Sequence, residues 1–407
     1  MNCRHCDSAL SLCFLDLGEA PPSNAYLSAE DLDKPEKKYP LRVLVCTGCW
    51  LVQTEDFVGA EELFRPDYAY FSSTSSSWLA HAKKYCEMIV PKLGLSADSL
   101  VVEVASNDGY LLKNFLAAGI PCLGIEPTAS TAAAAEKLGI PVKREFFTEK
   151  LGQSMAAHGR KADLIIGNNV YAHVPDINDF TLGLKALLKP SGTITLEFPH
   201  LLRLIEFNQF DTVYHEHFSY LSLHAVGRIF AAAGLKIYDV EELSTHGGSL
   251  RVYGCHEDSS QKVGEAVARL FNDEKKSGLL RLETYIGFQA RAEKVKDDFM
   301  AFLVEQKRSG KMVAAYGAAA KGNTLLNFAG VKPDLLPYVC DAAPSKQNKY
   351  LPGSHIPIRH PKELAAAAPD FVVILPWNIA DEVAAQNGAL AAKGTRLVTF
   401  IPEMRIR

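Results

Sequence analysis

Tyr214-His215-Glu216-His217-Phe218-Ser219-Tyr220 brings two imidazoles, a carboxylate and two phenols into one short stretch of chain. Groups of this kind are costly to bury together unless they are hydrogen-bonded or neutralised, so their crowding points to proton transfer. A zinc-protease signature sets its two histidines four apart on one helical face. His215 and His217 are two apart and share a face only in a strand or an extended loop, which favours proton abstraction over metal binding here. Metal chemistry belongs to another part of the chain. Cys3-x-x-Cys6 and Cys46-x-x-Cys49 are two CxxC pairs, each able to give two thiolates to one tetrahedral ion, and together they predict a structural zinc site.

The bulk composition narrows what the cluster serves. The chain has 407 residues, 48% of them hydrophobic and 22% charged, which is ordinary globular composition with room for two or three domains. A formal charge of -4 argues against a broad nucleic-acid surface. No apolar run approaches the roughly 18 residues of a membrane span, and Met1-Asn2-Cys3-Arg4 lacks the apolar segment of a signal peptide, so a cytoplasmic protein without a membrane partner is expected. In that setting the nine cysteines do not form a disulfide framework. Cys13, Cys86, Cys122, Cys255 and Cys340 read as small core residues.

The elements that must position these groups follow from periodicity. Residues 1–66 form a small metal-stapled module with a strand over Leu41–Val45 leading into the second CxxC. Residues 67–98 hold the polar, aromatic run Asp67-Tyr68-Ala69-Tyr70-Phe71-Ser72 and then a helix from Trp78 to about Leu93. Over 99–263, apolar strands at Leu100–Val104, Cys122–Ile125, Leu164–Gly167 and Thr193–Glu197 alternate with helical stretches. This rhythm predicts a parallel sheet with ligands at the carboxyl ends of its strands. The charged, leucine-rich segment 264–311 predicts one or two long connecting helices. A second α/β region over 312–407 has strands at Val313–Tyr316, Tyr338–Cys340, Phe371–Ile374 and Arg396–Phe400.

The first strand-turn-helix of the central region reads Val102-Glu103-Val104-Ala105-Ser106-Asn107-Asp108-Gly109. Small residues there allow close backbone approach, and exposed amides face a ligand. This is not the G-x-G-x-x-G of a dinucleotide site. Glu103 and Asp108 would repel a diphosphate but suit an ammonium or sulfonium group, and Glu126, ending the next strand, is placed for the two hydroxyls of a ribose.

The E-x-A-S-N-D-G turn, the acidic strand end and Asn168-Asn169-x-x-x-His173 resemble class I S-adenosylmethionine-dependent methyltransferases. With the four-cysteine module, the Tyr214–Tyr220 cluster and the C-terminal α/β region added, the chain resembles the sugar C-methyltransferases nearly end to end. That resemblance implies an α/β protein with a small N-terminal zinc module, a central Rossmann-like class I methyltransferase domain and a C-terminal Rossmann-like domain. It implies methylation, at C3, of a nucleotide-linked 4-keto-deoxysugar. Carbon methylation needs a base to form an enolate and donors to hold the developing oxyanion. The expected base is His217, whose ordinary pKa suits the task, with Glu216 orienting an imidazole or binding a sugar hydroxyl. The resemblance assigns Tyr214 and Tyr68 or Tyr70 to the keto oxygen or the ring, and Asn169 and His173 to the sugar. The cofactor set is Glu103, Ala105, Ser106, Asn107, Asp108, Gly109, Glu126 and Asn168.

In the C-terminal region, Tyr316-Gly317-Ala318-Ala319-Ala320-Lys321-Gly322-Asn323 resembles a phosphate-cradling turn. Ala319, Lys321 and Asn323, with Asp341 and Trp377 beyond later strands, are expected at the nucleotide-sugar. His200 and His224 are expected to have no chemical role, while His246, beside Gly247-Gly248, either lines the cleft or marks the entry to a strand. Two rival readings remain. One is an NAD-dependent oxidoreductase using the C-terminal turn, opposed by the lack of an acidic ribose ligand there; the other is a scaffold with a lapsed methyltransferase fold. The nucleotide, the sugar and the oligomeric state are not set by the sequence.

Overall fold

The structure, a computed structural model, describes residues 1–57 and 71–407. The N-terminal module is an antiparallel meander of β1 (Leu12–Ala20), β2 (Tyr39–Val45) and β3 (Val52–Thr54). In β2 the alternate residues Leu41, Val43 and Val45 point inward, the period of two that a half-buried strand requires. The turn from β2 to β3 is the Cys46–Cys49 knuckle, closed by Trp50 N–H to Cys46 O at 2.8 Å and Cys46 N–H to Leu51 O at 2.9 Å. Helix α1 (Ser76–Leu93) follows, with the Ser75 hydroxyl accepting from Trp78 N–H as its cap.

The central domain runs β4 (Val101–Val104), α2 (Leu112–Ala117), β5 (Cys122–Ile125), α3 (Ala129–Lys137), β6 (Val142–Lys143), α4 (Glu149–Ala157), β7 (Ala162–Asn168), α5 (Ile177–Leu187), β8 (Leu188–Pro199), α6 (Leu201–Glu206), β9 (Ser219–Tyr220), α7 (Leu223–Ala232), β10 (Leu235–Leu243) and β11 (Ser249–His256). Seven of these strands form one sheet in the order β10-β11-β8-β7-β4-β5-β6. Pairing is parallel from β6 to β8, and β11 lies antiparallel between β8 and β10. The winding reverses between β4 and β7, where an open sheet leaves a crevice at its carboxyl edge. Strand β9 leaves this sheet and pairs with β3, so the N-terminal sheet is completed by the central domain.

The connector contains three helices, α8 (Glu265–Lys276), α9 (Glu283–Ile286) and α10 (Phe288–Arg308). Ala292, Val295, Phe299, Phe302 and Leu303 make the buried stripe of α10. The C-terminal region runs β12 (Val313–Tyr316), α11 (Ala320–Phe328), β13 (Val339–Cys340), β14 (Ile358–Arg359), β15 (Phe371–Ile374), β16 (Arg396–Thr399) and β17 (Arg405–Ile406). Its sheet order is β14-β13-β12-β15-β16-β17, parallel except for β17. A second switch point therefore lies between β12 and β15. One apolar core joins Leu41 and Val43 of the module to Phe299 of α10 and to Val313 and Val373 of this sheet, locking the module against the C-terminal half. Among the described residues, no helix is long and apolar enough to cross a membrane.

Candidate active site

The two switch points open on one cavity of about 620 Å³. Its walls come from the whole length of the chain: Asn24 and Trp78, the β4 turn, Asn169 to Pro175, the Thr212–His217 loop, and the α11 start with Lys346 and Asn378.

At the β4 end the turn is built from left-handed backbone, with φ of 56° at Ala105, 48° at Asn107 and 77° at Gly109. Gly109 has no room for a side chain, since a Cβ would stand 2.5 Å from Ile140 Cδ1. Glu126 braces the turn, accepting from Asn107 N–H and Thr128 N–H at 2.9 Å each, while its side chain also lines the cavity. Ser72 and Ser73 N–H donate to Asn107 and Asp108 from the segment leading into α1. Ala105, Asn107 and Asn168 line the cavity; Glu103, Ser106, Asp108 and Gly109 form the layer behind. Both oxygens of Glu103 and the side-chain amide of Asn168 are buried without a hydrogen-bond partner of normal geometry among the described residues. Burial, reinforced by Glu126 and Asp108, pushes the Glu103 carboxyl well above the usual range, opposed by the Tyr110 hydroxyl. A cationic ligand relieves that charge crowding, so the residues present fit a sulfonium nucleoside.

The Tyr214–Tyr220 cluster is a loop between α6 and β9. His217 is buried, and Nδ1 lies 3.0 Å from Thr212 O. A carbonyl only accepts, so Nδ1 carries the proton and Nε2 keeps its lone pair. The imidazole packs 4.0 Å from the Tyr214 ring and 4.6 Å from that of His173, centroid to centroid. Burial first, then the cost of a second positive charge near His173, His246 and Lys321, hold His217 well below the usual imidazole range, opposed by the bond to Thr212 O. The ordinary pKa expected from the sequence is thus corrected by desolvation. Orientation of the imidazole falls to Thr212 O, whereas Glu216 lines the cavity and accepts from Asn24 Nδ2 at 2.9 and 2.8 Å. His215 is turned away onto Tyr39 O and Pro40 O. Tyr68 and Tyr70 lie outside the described residues.

Asn169, in left-handed backbone, reaches His246 Nε2 at 3.1 Å, and His246 lines the cavity against Trp78. Behind them, Glu197 is fully buried and accepts from Arg251, His81 and Thr245, and His81 stacks on Trp78 at 4.9 Å. His200 and His224 lie elsewhere: His200 Nε2 is 2.7 Å from Glu274, which also accepts from the N–H groups opening α7.

The opposite end of the cavity is basic. Ala319, Lys321 and Lys346 line it, and Lys321 Nζ donates to Asn378 Oδ1 at 2.7 Å beside Asp211, which burial raises to about 6. Gly317, at φ 92°, lets the β12 turn pass Pro376, which a Cβ would meet at 2.4 Å. Three residues expected at the substrate do not line the cavity. Asn323 is buried and donates to Ser23 O, Trp377 donates to Asp211 with Lys321 over its face, and Asp341 accepts from Ala318 and Ala343 N–H. Asp341 directly follows β13 and braces the β12 turn through Ala318 N–H. Lys346 lies 3.8 Å from it, and the Tyr26 hydroxyl and Lys346 both donate to Ala318 O, so the turn's mouth is covered by the chain itself.

Family models match three segments in order: a zinc binding domain over 3–64, a methyltransferase domain over 78–240 and a C-methyltransferase C-terminal domain over 244–402. C-methyltransferase NovU of Streptomyces niveus is 35% identical over 99% of this chain and 96% of NovU. This chain belongs to the C-methyltransferase family. Among solved structures, an S-adenosylmethionine-dependent methyltransferase of Anabaena variabilis is similar at 16% identity over 44% of this chain and 86% of its own, with a TM-score of 0.36. Magnesium protoporphyrin IX methyltransferase of Synechocystis PCC 6803 is similar at 17% identity over 44% and 82%, with a TM-score of 0.35.

This C-methyltransferase is S-adenosylmethionine-dependent and carries a four-cysteine zinc site. The sulfur atoms of Cys3, Cys6, Cys46 and Cys49 all lie within 4.8 Å of one another, with Cys3–Cys49 and Cys6–Cys46 each at 3.5 Å. Tetrahedral zinc with bonds of about 2.3 Å needs sulfurs about 3.8 Å apart, so the donor set fits the ion. Asn24, Trp78 and Thr212 are cavity residues that sequence reasoning passed over. None belongs to a motif; each is brought in by tertiary packing.

Proposed function

We propose that this C-methyltransferase acts on C3 of a nucleotide-linked 4-keto-deoxysugar through base-catalysed enolate formation, with His217 as the base. The observation that carries this reading is the Thr212 O contact with His217 Nδ1, which commits the proton to that nitrogen and leaves Nε2 as the acceptor in a cavity-lining imidazole. S-adenosylmethionine, when bound, supplies an electrophilic methyl group for the enolate carbon.

The chain's own groups divide the remaining work. Glu126, Asn168 and the Ala105–Gly109 turn, backed by Glu103, hold the cationic nucleoside at the acidic end. Lys321 and Lys346, with Ala319, hold the anionic part of the sugar nucleotide at the other. His217 Nε2 takes the C3 proton, and the electron pair of that C–H bond moves toward the 4-keto oxygen. Tyr214, Asn169 and His173 are the groups in range to steady the sugar and its developing oxyanion. Tyr68 and Tyr70 are kept for the same role from the segment preceding Ser72. Lys321 is one cause of the low basicity of His217, so an anionic substrate that neutralises Lys321 raises that basicity on binding.

Incubation with labelled methyl donor and a panel of 4-keto-6-deoxy nucleotide sugars tests the proposal. Label is expected on a ring carbon. Transfer to oxygen or nitrogen, or to none of the 4-keto sugars, would overturn it.

A further inference from the structure

We propose that Thr54 of the zinc module is a positioning residue for His217, so that the module sets the geometry of proton abstraction as well as stapling the fold. The inference rests on the reading of His217 as base.

Thr54 is buried, and its hydroxyl donates to His217 O at 2.5 Å while its N–H donates to Phe218 O at 3.1 Å. The strand it ends, β3, pairs with β9 through Val52–Tyr220 and Gln53–Ser219. The main chain of the base is therefore held from outside by Thr54, and its imidazole from inside by Thr212 O. The two contacts hold the main chain and the ring of one residue, and together they fix where Nε2 points.

Thr54 is in turn fixed by the metal knuckles. β3 begins three residues after Cys49. Arg4, between Cys3 and Cys6, donates from its main-chain N–H to Gln53 Oε1 and from Nη2 to Thr54 O, each at 3.0 Å. The same guanidinium lies 5.4 Å from the centroid of Phe218 and donates from Nη1 to Pro175 O, on the cavity wall. The second CxxC pair thus reaches the main chain that carries His217 through β3, and the first reaches it through Arg4 and Thr54. Reacting atoms must be placed to within about 1 Å for full rate, so loss of one such tether is read in turnover before it is read in binding.

The test compares Thr54→Val, Thr54→Ser and His217→Gln in the full zinc-loaded chain. Its readouts are kcat, KM, zinc content, S-adenosylhomocysteine affinity, and deuterium exchange at the sugar carbon with S-adenosylhomocysteine bound. Thr54→Val is expected to keep zinc, cofactor affinity and KM within about twofold, while kcat and exchange fall together by about tenfold to a hundredfold; Thr54→Ser restores both. Unchanged kcat and exchange in Thr54→Val, or a loss that serine does not restore, overturns the proposal. Should the valine variant fail to fold, Thr54→Ala replaces it, and equal turnover by alanine and serine variants overturns it. Normal exchange in His217→Gln removes the base assignment and this inference together. Loss in His217→Gln with normal exchange in Thr54→Val removes the positioning role alone.

Discussion

Asn24 and Glu216 lie 192 positions apart, yet the Asn24 amide nitrogen donates to both carboxylate oxygens of Glu216, at 2.9 and 2.8 Å. Glu216 is nearly fully buried at the cavity wall, so this amide helps to keep its carboxyl group pointed. Asn24→Leu removes the donor and leaves the charge. We expect kcat/KM to fall about tenfold or more, in line with the 1.5–3 kcal/mol of a hydrogen bond to a charged group. Steady-state kinetics with unchanged cofactor binding would check it; full activity would show that Glu216 needs no such partner.

Glu103 is the residue where stability and function pull apart. Its carboxyl is pushed above the usual range by burial and by Glu126 and Asp108, so ionising it at neutral pH destabilises the ligand-free fold. Glu103→Gln is expected to raise the melting temperature of the ligand-free protein and to weaken S-adenosylmethionine binding by about tenfold. Thermal shift and calorimetry measure the two effects, and a parallel fall in both would contradict the role given to this charge.

The histidines predict the pH response. Burial holds His173 and His246 down to about 4 and His217 lower than the ordinary imidazole. Each is neutral when folded and gains a proton more readily when unfolded, so stability is present above about pH 6.5 and is lost as pH falls through the depressed folded values. With His217 as the proposed base, active when neutral, the acid limb of kcat/KM is expected likewise below pH 6.5. Lys321→Met removes one cause of that depression, so its acid limb should move to higher pH while KM for the nucleotide sugar rises. An unmoved limb would place Lys321 outside the field of His217.

Zinc removal should act on folding. Cys46→Ser leaves three thiolates for an ion that stitches residue 3 to residue 49, in a module whose sheet is completed only by β9. A lower folded yield and less than one zinc per chain by metal analysis are expected. A normally folded, zinc-loaded Cys46→Ser protein would contradict the four-thiolate site.

Much of this was legible in the sequence because the signals were local. The strands at Cys122–Ile125, Val313–Tyr316 and Phe371–Ile374 appear with the expected bounds, since a buried parallel strand is a short apolar run between turn residues. The helix expected from Trp78 begins at Ser76, because its cap is the Ser75 hydroxyl. The Gly247-Gly248 turn does open a strand, β11, but β10, the pairing of both strands and the route of β9 to the module escaped notice, because which strands pair is decided by long-range packing. The Tyr214–Tyr220 cluster announced itself by composition. Its partners Thr212 O and Asn24 did not, the first being a backbone group and the second an ordinary loop amide. Trp377 and Asn323 misled for the opposite reason: residue types common in ligand contacts were spent on Asp211 and Ser23 O.

The sharing of β9 bears on how such enzymes can be recombined. A chimera that exchanges the first 57 residues for those of a relative keeps the metal knuckles but replaces β3, the strand that meets Ser219 and Tyr220, and the face of Leu41 and Val43 that packs under α10. The productive crossover unit is therefore discontinuous: the N-terminal residues must travel with the 212–220 loop and with α10, although more than 150 residues of chain separate them.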